Sequence, residues 1–185
     1  MGSINIFVDP FPVKKNLDIY TESISKYFRD KHNLNVKIHV TCGLADGYIK
    51  STFLCETEYI FQLEHDWVFL PNIKHSLESI LGCMKLQGME HLRFSKRKNE
   101  DRPNGKETFT EIIVNDIPFC RNNQYRSNNP HIINRSEYLK KWNNRIDTSK
   151  PHSAYGIEHK LRTAIGYVYG PLNHGPTIRH LDGKK

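Results

Sequence analysis

Residues 58–67 read EYIFQLEHDW, an apolar run that passes directly into acidic side chains. The part from Tyr59 to Leu63 is nearly continuous in apolar residues, which is the pattern of a strand buried on both faces. Glu64 and Asp66 follow where this strand would end. In folds that layer helices on a parallel sheet, ligands bind beyond the carboxyl ends of the strands. We therefore expect Glu64 and Asp66 to lie in a ligand site.

Strands and helices alternate on both sides of this run. Apolar runs predict strands at residues 4–8, 36–40, 59–63, 91–95 and 109–114. Apolar residues at helical spacing predict helices at about 17–28, 46–55, 71–88, 136–142 and 157–168. Ser136 would cap the fourth of these helices, and Gly170 with Pro171 would end the last. The alternation predicts an α/β fold with a mixed, mostly parallel sheet flanked by helices.

Length and hydropathy indicate one soluble domain. The chain has 185 residues, of which 37% are hydrophobic, and this is enough apolar material for a single core. No run approaches the roughly 20 apolar residues that a membrane-spanning helix needs. No apolar stretch follows the first methionine as it would in a signal peptide. We therefore expect a cytoplasmic protein with no membrane span.

The net charge limits the classes of partner but does not identify one. Lysine and arginine number 27 and aspartate and glutamate 20, so the formal net charge is +7. Such a balance favours phosphate-bearing or polyanionic partners, and a nucleic acid and a nucleotide diphosphate both fit. The four cysteines form no CxxC motif, so neither a zinc site nor a disulfide framework is indicated.

Glu64 and Asp66 have the chemistry of a divalent cation site. Mg²⁺ and Mn²⁺ prefer one or two carboxylates together with phosphate oxygens of the substrate. Such a cation neutralises a diphosphate and stabilises it as a leaving group. An acidic pair at this spacing is also common at ordinary polar strand ends, so spacing alone leaves both interpretations open.

Residues 43–67 resemble the nucleotide-sugar half of glycosyltransferases with the GT-A fold. In that superfamily a strand ends in an acidic D-x-D-type motif, which here is similar to Glu64, His65 and Asp66. Three later segments resemble GT-A segments in the same order, namely an acceptor-side segment at 127–133, an acidic helix start at 156–158 and a histidine-bearing tail at 173–183. Small viral and bacterial enzymes are the members that the chain resembles, over about residues 36–183.

This resemblance implies an enzyme with one GT-A-like, Rossmann-like domain over residues 1–185. Residues 1–95, approximately, would form the nucleotide-sugar-binding half, and about 107–185 the acceptor-side half with its tail. The implied reaction moves a sugar from a nucleotide-diphosphate sugar to a glycan or another hydroxyl acceptor, with inversion of the anomeric centre. The implied cofactor is Mn²⁺ or Mg²⁺. A viral source would place the enzyme in the host cytoplasm.

The resemblance also implies roles for acidic and histidine side chains. Asp66 would bind the metal, and Glu64 would contact the ribose or reach the metal through water. His180 or His174 would complete the metal's ligands, and the closing segment favours His180. Asp46 would contact the nucleotide, although beside a glycine it also fits a simple turn.

Four further roles are predicted, of which the first follows from the order of motifs and the others from position and side-chain chemistry. Glu158 would be the general base that deprotonates the acceptor hydroxyl, although an acid in a first helical turn also complements the helix dipole. Arg93 and Arg97 would clamp the diphosphate, because the planar guanidinium binds phosphate well, although a solvated basic loop is equally consistent. Trp67 could stack on a sugar or lie in the core. The polar tail would fold over the site as a lid.

Two other functions stay open. A nucleic-acid-binding module would use the basic residues between Arg93 and Arg102 and would bind with strong salt dependence. The basic residues are spread along the chain and no recognition motif appears, so we expect no nucleic-acid partner. A metal-dependent nuclease or phosphotransferase would use Glu64 and Asp66. No Walker-type glycine loop is present to indicate a kinase.

Overall fold

The computed structural model describes residues 4–9, 16–102, 107–122, 129–141, 145, 149 and 166–181. These residues form four helices, α1 (Leu17–His32), α2 (Leu44–Leu54), α3 (Leu77–Gln87) and α4 (Arg135–Lys141). The strands are β1 (Ile4–Val8), β2 (Val36–Val40), β3 (Tyr59–Gln62), β4 (Trp67–Phe69), β5 (His91–Arg93), β6 (Phe109–Val114), β7 (Ile117–Asn122), β8 (His131–Asn134), β9 (Gly166–Tyr169) and β10 (Ile178–His180).

The largest sheet has six strands in the order β3-β8-β5-β9-β7-β6. Strands β5 and β9 run parallel, and every other neighbouring pair in this sheet is antiparallel. The predicted combination of helices with a mixed sheet is confirmed, and the prediction that most strands run parallel is wrong. The reason lies partly in β6 and β7, which form a hairpin. Asn115 and Asp116 between them both have positive φ, 47° and 62°, as a tight two-residue turn requires.

Two smaller sheets complete the described strands. Strands β1 and β2 pair in parallel, joined through α1. Strand β4 pairs antiparallel with β10, so that His180 lies opposite Trp67 and Ile178 opposite Phe69. The last described strand of the chain therefore lies beside the segment that follows Glu64 and Asp66.

The main core lies between α3 and the six-stranded sheet. Its fully buried members include Ile80, Met84, Leu92, Phe119, Ile132 and Ile178. Ile178 belongs to β10, and full burial of such a side chain is worth about 1.5–3 kcal/mol. The short strand β10 is therefore anchored by the core as well as by its pairing with β4. A second cluster packs Ala45 and Tyr48 of α2 and Tyr138 of α4 on the sheet.

Helix α3 begins later than the sequence predicts. Ser76 is its N-cap and accepts a hydrogen bond from the backbone N–H of Ser79 at 3.1 Å. The helix ends at Gly88, whose φ of 63° is favourable for glycine. Helix α4 starts after Asn134, whose side chain accepts from the N–H of Glu137 at 3.2 Å, so Ser136 is not the cap.

The predicted last helix is wrong at its carboxyl end. Residues 166–169 form β9, which pairs with β5 on one side and β7 on the other. The sequence of this strand is GYVY, rich in aromatic and β-branched residues, and these residues favour strands when both neighbours are in place. Residues 157–165 of that prediction lie outside the described residues. Within the described part of the chain, no helix is long and apolar enough to cross a membrane.

Candidate metal centre

Three side chains that can ligate a metal converge beside β4. One ligand atom from each of Glu64, Asp66 and His180 lies within 4.8 Å of the other two. We call these three residues the acidic triad. Among the residues that the structure describes, no other group of three histidine, cysteine or acidic residues meets this distance. The sequence predicted all three as ligand-site residues.

The strand pairing explains how distant parts of the sequence meet. The chain leaves β3 after Gln62, carries Glu64 and Asp66 through a turn, and enters β4 at Trp67. Strand β10 runs back along β4, and the N–H of Leu181 donates to the backbone carbonyl of Asp66 at 2.6 Å. Backbone hydrogen bonds between the β4 segment and the β10 segment therefore hold Asp66 and His180 next to each other.

Asp66 has one carboxylate oxygen paired with His180 and one that could ligate a metal. Its Oδ2 lies 3.0 Å from Nε2 of His180, and the two side chains are 17% and 33% exposed. Its Oδ1 is buried and has no hydrogen-bond partner. A buried carboxylate oxygen without a partner is costly and rare in folded proteins. Two carboxylates and an imidazole fit a divalent cation, and the imidazole suits Mn²⁺ better than Mg²⁺.

Aromatic side chains support the turn that carries the acids. The ring of Trp67 lies edge-on to that of His180, with 4.4 Å between centroids. Phe69 packs on Phe61 and Phe94 at 5.7 and 5.2 Å. Such contacts are worth about 0.5–1.5 kcal/mol each beyond their buried area. Packed aromatic side chains therefore support the turn that carries the acids, and Trp67 contacts the triad at His180.

A basic segment follows β5 on the side of Trp67. Lys96, Arg97 and Lys98 are all exposed, and Nζ of Lys96 lies 5.6 Å from the centroid of the Trp67 ring. Sequence analysis missed this contact. The available signal was the run of three basic residues after a predicted strand, of which only Arg97 was predicted to bind a diphosphate, with a solvated basic loop as the alternative.

The structure separates the two arginines that were predicted to clamp a diphosphate. Arg97 is exposed, whereas Arg93 is buried in β5 and pairs with Glu107. Glu107 also accepts from Nδ2 of Asn122 at 2.6 Å and lies 3.6 Å from Nε of Arg102. We call these four residues, Arg93, Arg102, Glu107 and Asn122, the arginine–glutamate cluster. The charge of Arg93 is thus balanced inside the protein.

Asp46 lies in the first turn of α2, where it stabilises the start of the helix. Its Oδ2 accepts from the N–H of Cys42 at 2.8 Å and pairs with Lys50 at 2.7 Å. Burial acts to raise the pKa of Asp46, but the hydrogen bonds from Lys50 and Cys42 outweigh it and lower the pKa below its usual value. Its contact with a nucleotide stays a prediction.

Of the two histidines predicted to complete the metal's ligands, His180 lies in the triad and His174 does not. His174 packs on Tyr169, with 6.0 Å between ring centroids. Burial, and to a lesser degree the charge of Lys74, lowers the pKa of His174. Glu158, the predicted general base, lies outside the described residues.

No protein-family model matches the chain, and no curated protein is significantly similar to it. The geometry of the acidic triad is therefore the main evidence on function.

Proposed function

We propose that this protein is a metal-dependent glycosyltransferase that moves a sugar from a nucleotide-diphosphate sugar to a hydroxyl acceptor, with inversion. The observation that carries the proposal is the convergence of Glu64, Asp66 and His180 after strand β3. The net charge of +7 and the basic segment beside the triad accord with a phosphate-bearing donor.

For the finer fold we propose the GT-A arrangement. Two observations support it beside the resemblance of residues 43–67. The acids follow a strand of the main sheet, and the pairing of β4 with β10 brings a histidine of the tail to them. The resemblance implies both features.

The triad would hold Mn²⁺ in preference to Mg²⁺, because His180 offers a nitrogen. The bound ion would neutralise negative charge on the diphosphate leaving group. The chain's own part is to orient the ligands: the backbone carbonyl of Asp66 is fixed by Leu181, and Trp67 packs against the ring of His180. A ligand set fixed in this way loses little freedom when the ion binds.

Glu158 is proposed as the general base, on the resemblance of residues 156–158 alone. Its carboxylate would take the proton of the acceptor hydroxyl while the hydroxyl oxygen attacks the anomeric carbon. A single displacement of this kind inverts the configuration at that carbon.

The test combines metal binding with identification of the product. Calorimetry with MnCl₂ and a transfer assay over a panel of nucleotide sugars are run on the wild type, on Asp66→Asn and on Asp116→Asn. We expect Mn²⁺-dependent transfer that falls at least about 100-fold in Asp66→Asn, because the ion supplies several kcal/mol of charge stabilisation. Asp116 is an exposed acid in the β6–β7 turn, where asparagine also tolerates positive φ, so this variant is the matched control.

Two outcomes contradict the proposal. If the wild type binds neither Mn²⁺ nor Mg²⁺, then the triad is not a metal site. Metal-dependent cleavage of nucleic acid or of a phosphate ester, with no sugar transferred, establishes a nuclease or phosphotransferase at the same triad instead.

A further inference from the structure

We infer that Lys96 binds the terminal phosphate of the nucleoside diphosphate held at the acidic triad. The inference rests on the proposed function and deepens it, because it assigns to one side chain the recognition of a diphosphate over a monophosphate.

A short series of contacts connects Lys96 to the triad. Its Nζ lies 5.6 Å from the centroid of the Trp67 ring. That ring lies 4.4 Å from the ring of His180, which in turn pairs with Asp66 at 3.0 Å. Lys96 and His180 therefore contact the same Trp67 ring, and a phosphate on a metal held by Asp66 and His180 would lie within reach of this ring's surroundings.

Hydrogen bonds to the strand of His180 fix the backbone next to Lys96. The carbonyl of Ser95 accepts from the N–H of Thr177 at 2.8 Å, and the N–H of Ser95 donates to Oγ1 of Thr177 at 2.9 Å. Thr177 directly precedes β10. The position of Lys96 relative to the triad is thus set by the pairing of two buried residues, and only its side chain has to move.

The present contact of Lys96 is easily exchanged for a phosphate. A cation over an indole ring at an exposed site contributes less than a hydrogen bond to a charged partner. Its neighbour Lys98 is already paired with Glu100 at 3.4 Å. No carboxylate of the described residues forms such a pair with Lys96, so its charge is available to a ligand.

Arg93, which was predicted to bind the diphosphate, lies in a different environment from Lys96. Arg93 is buried and its charge is balanced by Glu107, whereas Lys96 is exposed beside Trp67. A lysine ammonium is a compact point charge that binds phosphate without a fixed fork geometry. Lys96 can therefore bind the phosphate that Arg93 was predicted to bind.

The chemical role of Lys96 is to stabilise the leaving group. The acceptor oxygen forms a bond to the anomeric carbon, and the bond from that carbon to the diphosphate oxygen breaks. The electron pair of the broken bond stays on that oxygen, and the proton of the acceptor hydroxyl goes to the general base. Lys96 keeps its own proton, and its charge offsets the negative charge that develops on the terminal phosphate.

The test is calorimetry in MnCl₂ with UDP, GDP, UMP, GMP and inorganic pyrophosphate. The proteins are the wild type, Lys96→Met and, as matched control, Lys98→Met. We expect Mn²⁺ alone to bind all three proteins equally. Lys96→Met should bind the diphosphates and pyrophosphate roughly 10-fold more weakly and the monophosphates almost unchanged, because it loses one charged hydrogen bond. Lys98→Met should bind like the wild type.

A second readout uses tryptophan fluorescence. The chain has two tryptophans, Trp67 and Trp142, so Trp142→Phe leaves Trp67 as the sole reporter. If Lys96 leaves the Trp67 ring for the phosphate, then adding UDP or GDP in Mn²⁺ changes the emission of this variant. The same addition should change it much less when Lys96→Met is also present.

The outcomes separate the inference from the proposed function. Equal diphosphate affinity in Lys96→Met and the wild type overturns the inference, as does an equal loss in Lys98→Met, which would indicate only general surface charge. Either result leaves the metal site and the transferase proposal intact. Failure of the wild type to bind Mn²⁺ overturns the proposed function and the inference together.

Discussion

The acidic triad and the arginine–glutamate cluster are both charged groups at the ends of sheet strands, yet their charges are arranged differently. In the cluster, Glu107 is shared by Arg93, Arg102 and Asn122, so opposite charges meet within the protein. In the triad two acids face one histidine, and Oδ1 of Asp66 is buried without a hydrogen-bond partner. The ion pairs of Glu107 with Arg93 and Arg102 stabilise the fold from within, whereas Oδ1 of Asp66 can still accept a bond from a ligand.

The largest expected difference between the two sites is in stability without metal. Glu107→Gln should lower the free energy of unfolding by about 3–5 kcal/mol, because it leaves the buried Arg93 without its counter-charge. Asp66→Asn should change it by less than about 1 kcal/mol, since the amide oxygen can still accept from His180 and no buried counter-charge is left unpaired. Urea unfolding in EDTA measures both. Similar losses in the two variants would mean that the triad is a structural ion cluster.

Added metal should make the change in stability larger for the substitution in the triad. Saturation of the wild type with Mn²⁺ at about 100 times its dissociation constant should stabilise it by about 2.7 kcal/mol. Asp66→Asn should gain almost nothing at the same concentration, because it has lost a ligand. Thermal unfolding with and without MnCl₂ measures the gain. Asp116→Asn is the control, and it should gain as much as the wild type.

A smaller effect should distinguish the two histidines of the tail. His180→Ala should weaken Mn²⁺ binding by at least about 10-fold, the order found for residues around metal sites. His174→Ala should leave Mn²⁺ affinity unchanged, because His174 packs on Tyr169 outside the triad. Calorimetry with MnCl₂ alone makes the comparison. A loss in His174→Ala that matches that of His180→Ala would show that the tail binds the ion in another arrangement.

Local patterns in the sequence predicted most of the individual elements. Strand β3 and the acids after it could be recognised because the apolar run and its end lie within residues 58–67. Helices α2 and α3 and the cap at Gly88 are likewise encoded by nearby residues. Asp66 and Glu64 could therefore be placed in a site before the topology was known.

Long-range pairing accounts for the errors. Strand β8 lies between β3 and β5 and runs antiparallel to both, and no local pattern encodes that insertion. Residues 166–169 form a strand only because β5 and β7 lie on either side. The burial of Arg93 depends on Glu107, and the contact of Lys96 depends on Trp67; each pair is distant in sequence. His180 was predicted through resemblance, and its position depends on the pairing of β10 with β4.

The smallest expected effect concerns Asp46, a third acid whose charge is balanced locally. Its pKa is lowered on folding, because the hydrogen bonds from Lys50 and Cys42 outweigh the effect of burial. A carboxyl whose folded pKa is depressed contributes stability above its unfolded pKa of about 3.9, and this stability is lost as the pH falls through the folded value. Asp46→Asn should therefore lower the free energy of unfolding at pH 7, by less than about 1 kcal/mol for so exposed a pair.

The difference between Asp46→Asn and the wild type should shrink as the pH is lowered below about 4, where the wild-type carboxyl becomes protonated as well. Urea unfolding in EDTA between pH 7 and pH 3 follows the difference. Lys50→Met provides the matched variant, because it removes the partner and keeps the acid. A difference that persists unchanged to pH 3 would mean that Asp46 acts through its shape and not its charge. Glu107 would then be the one acid with an internal charge partner left to compare with the acidic triad.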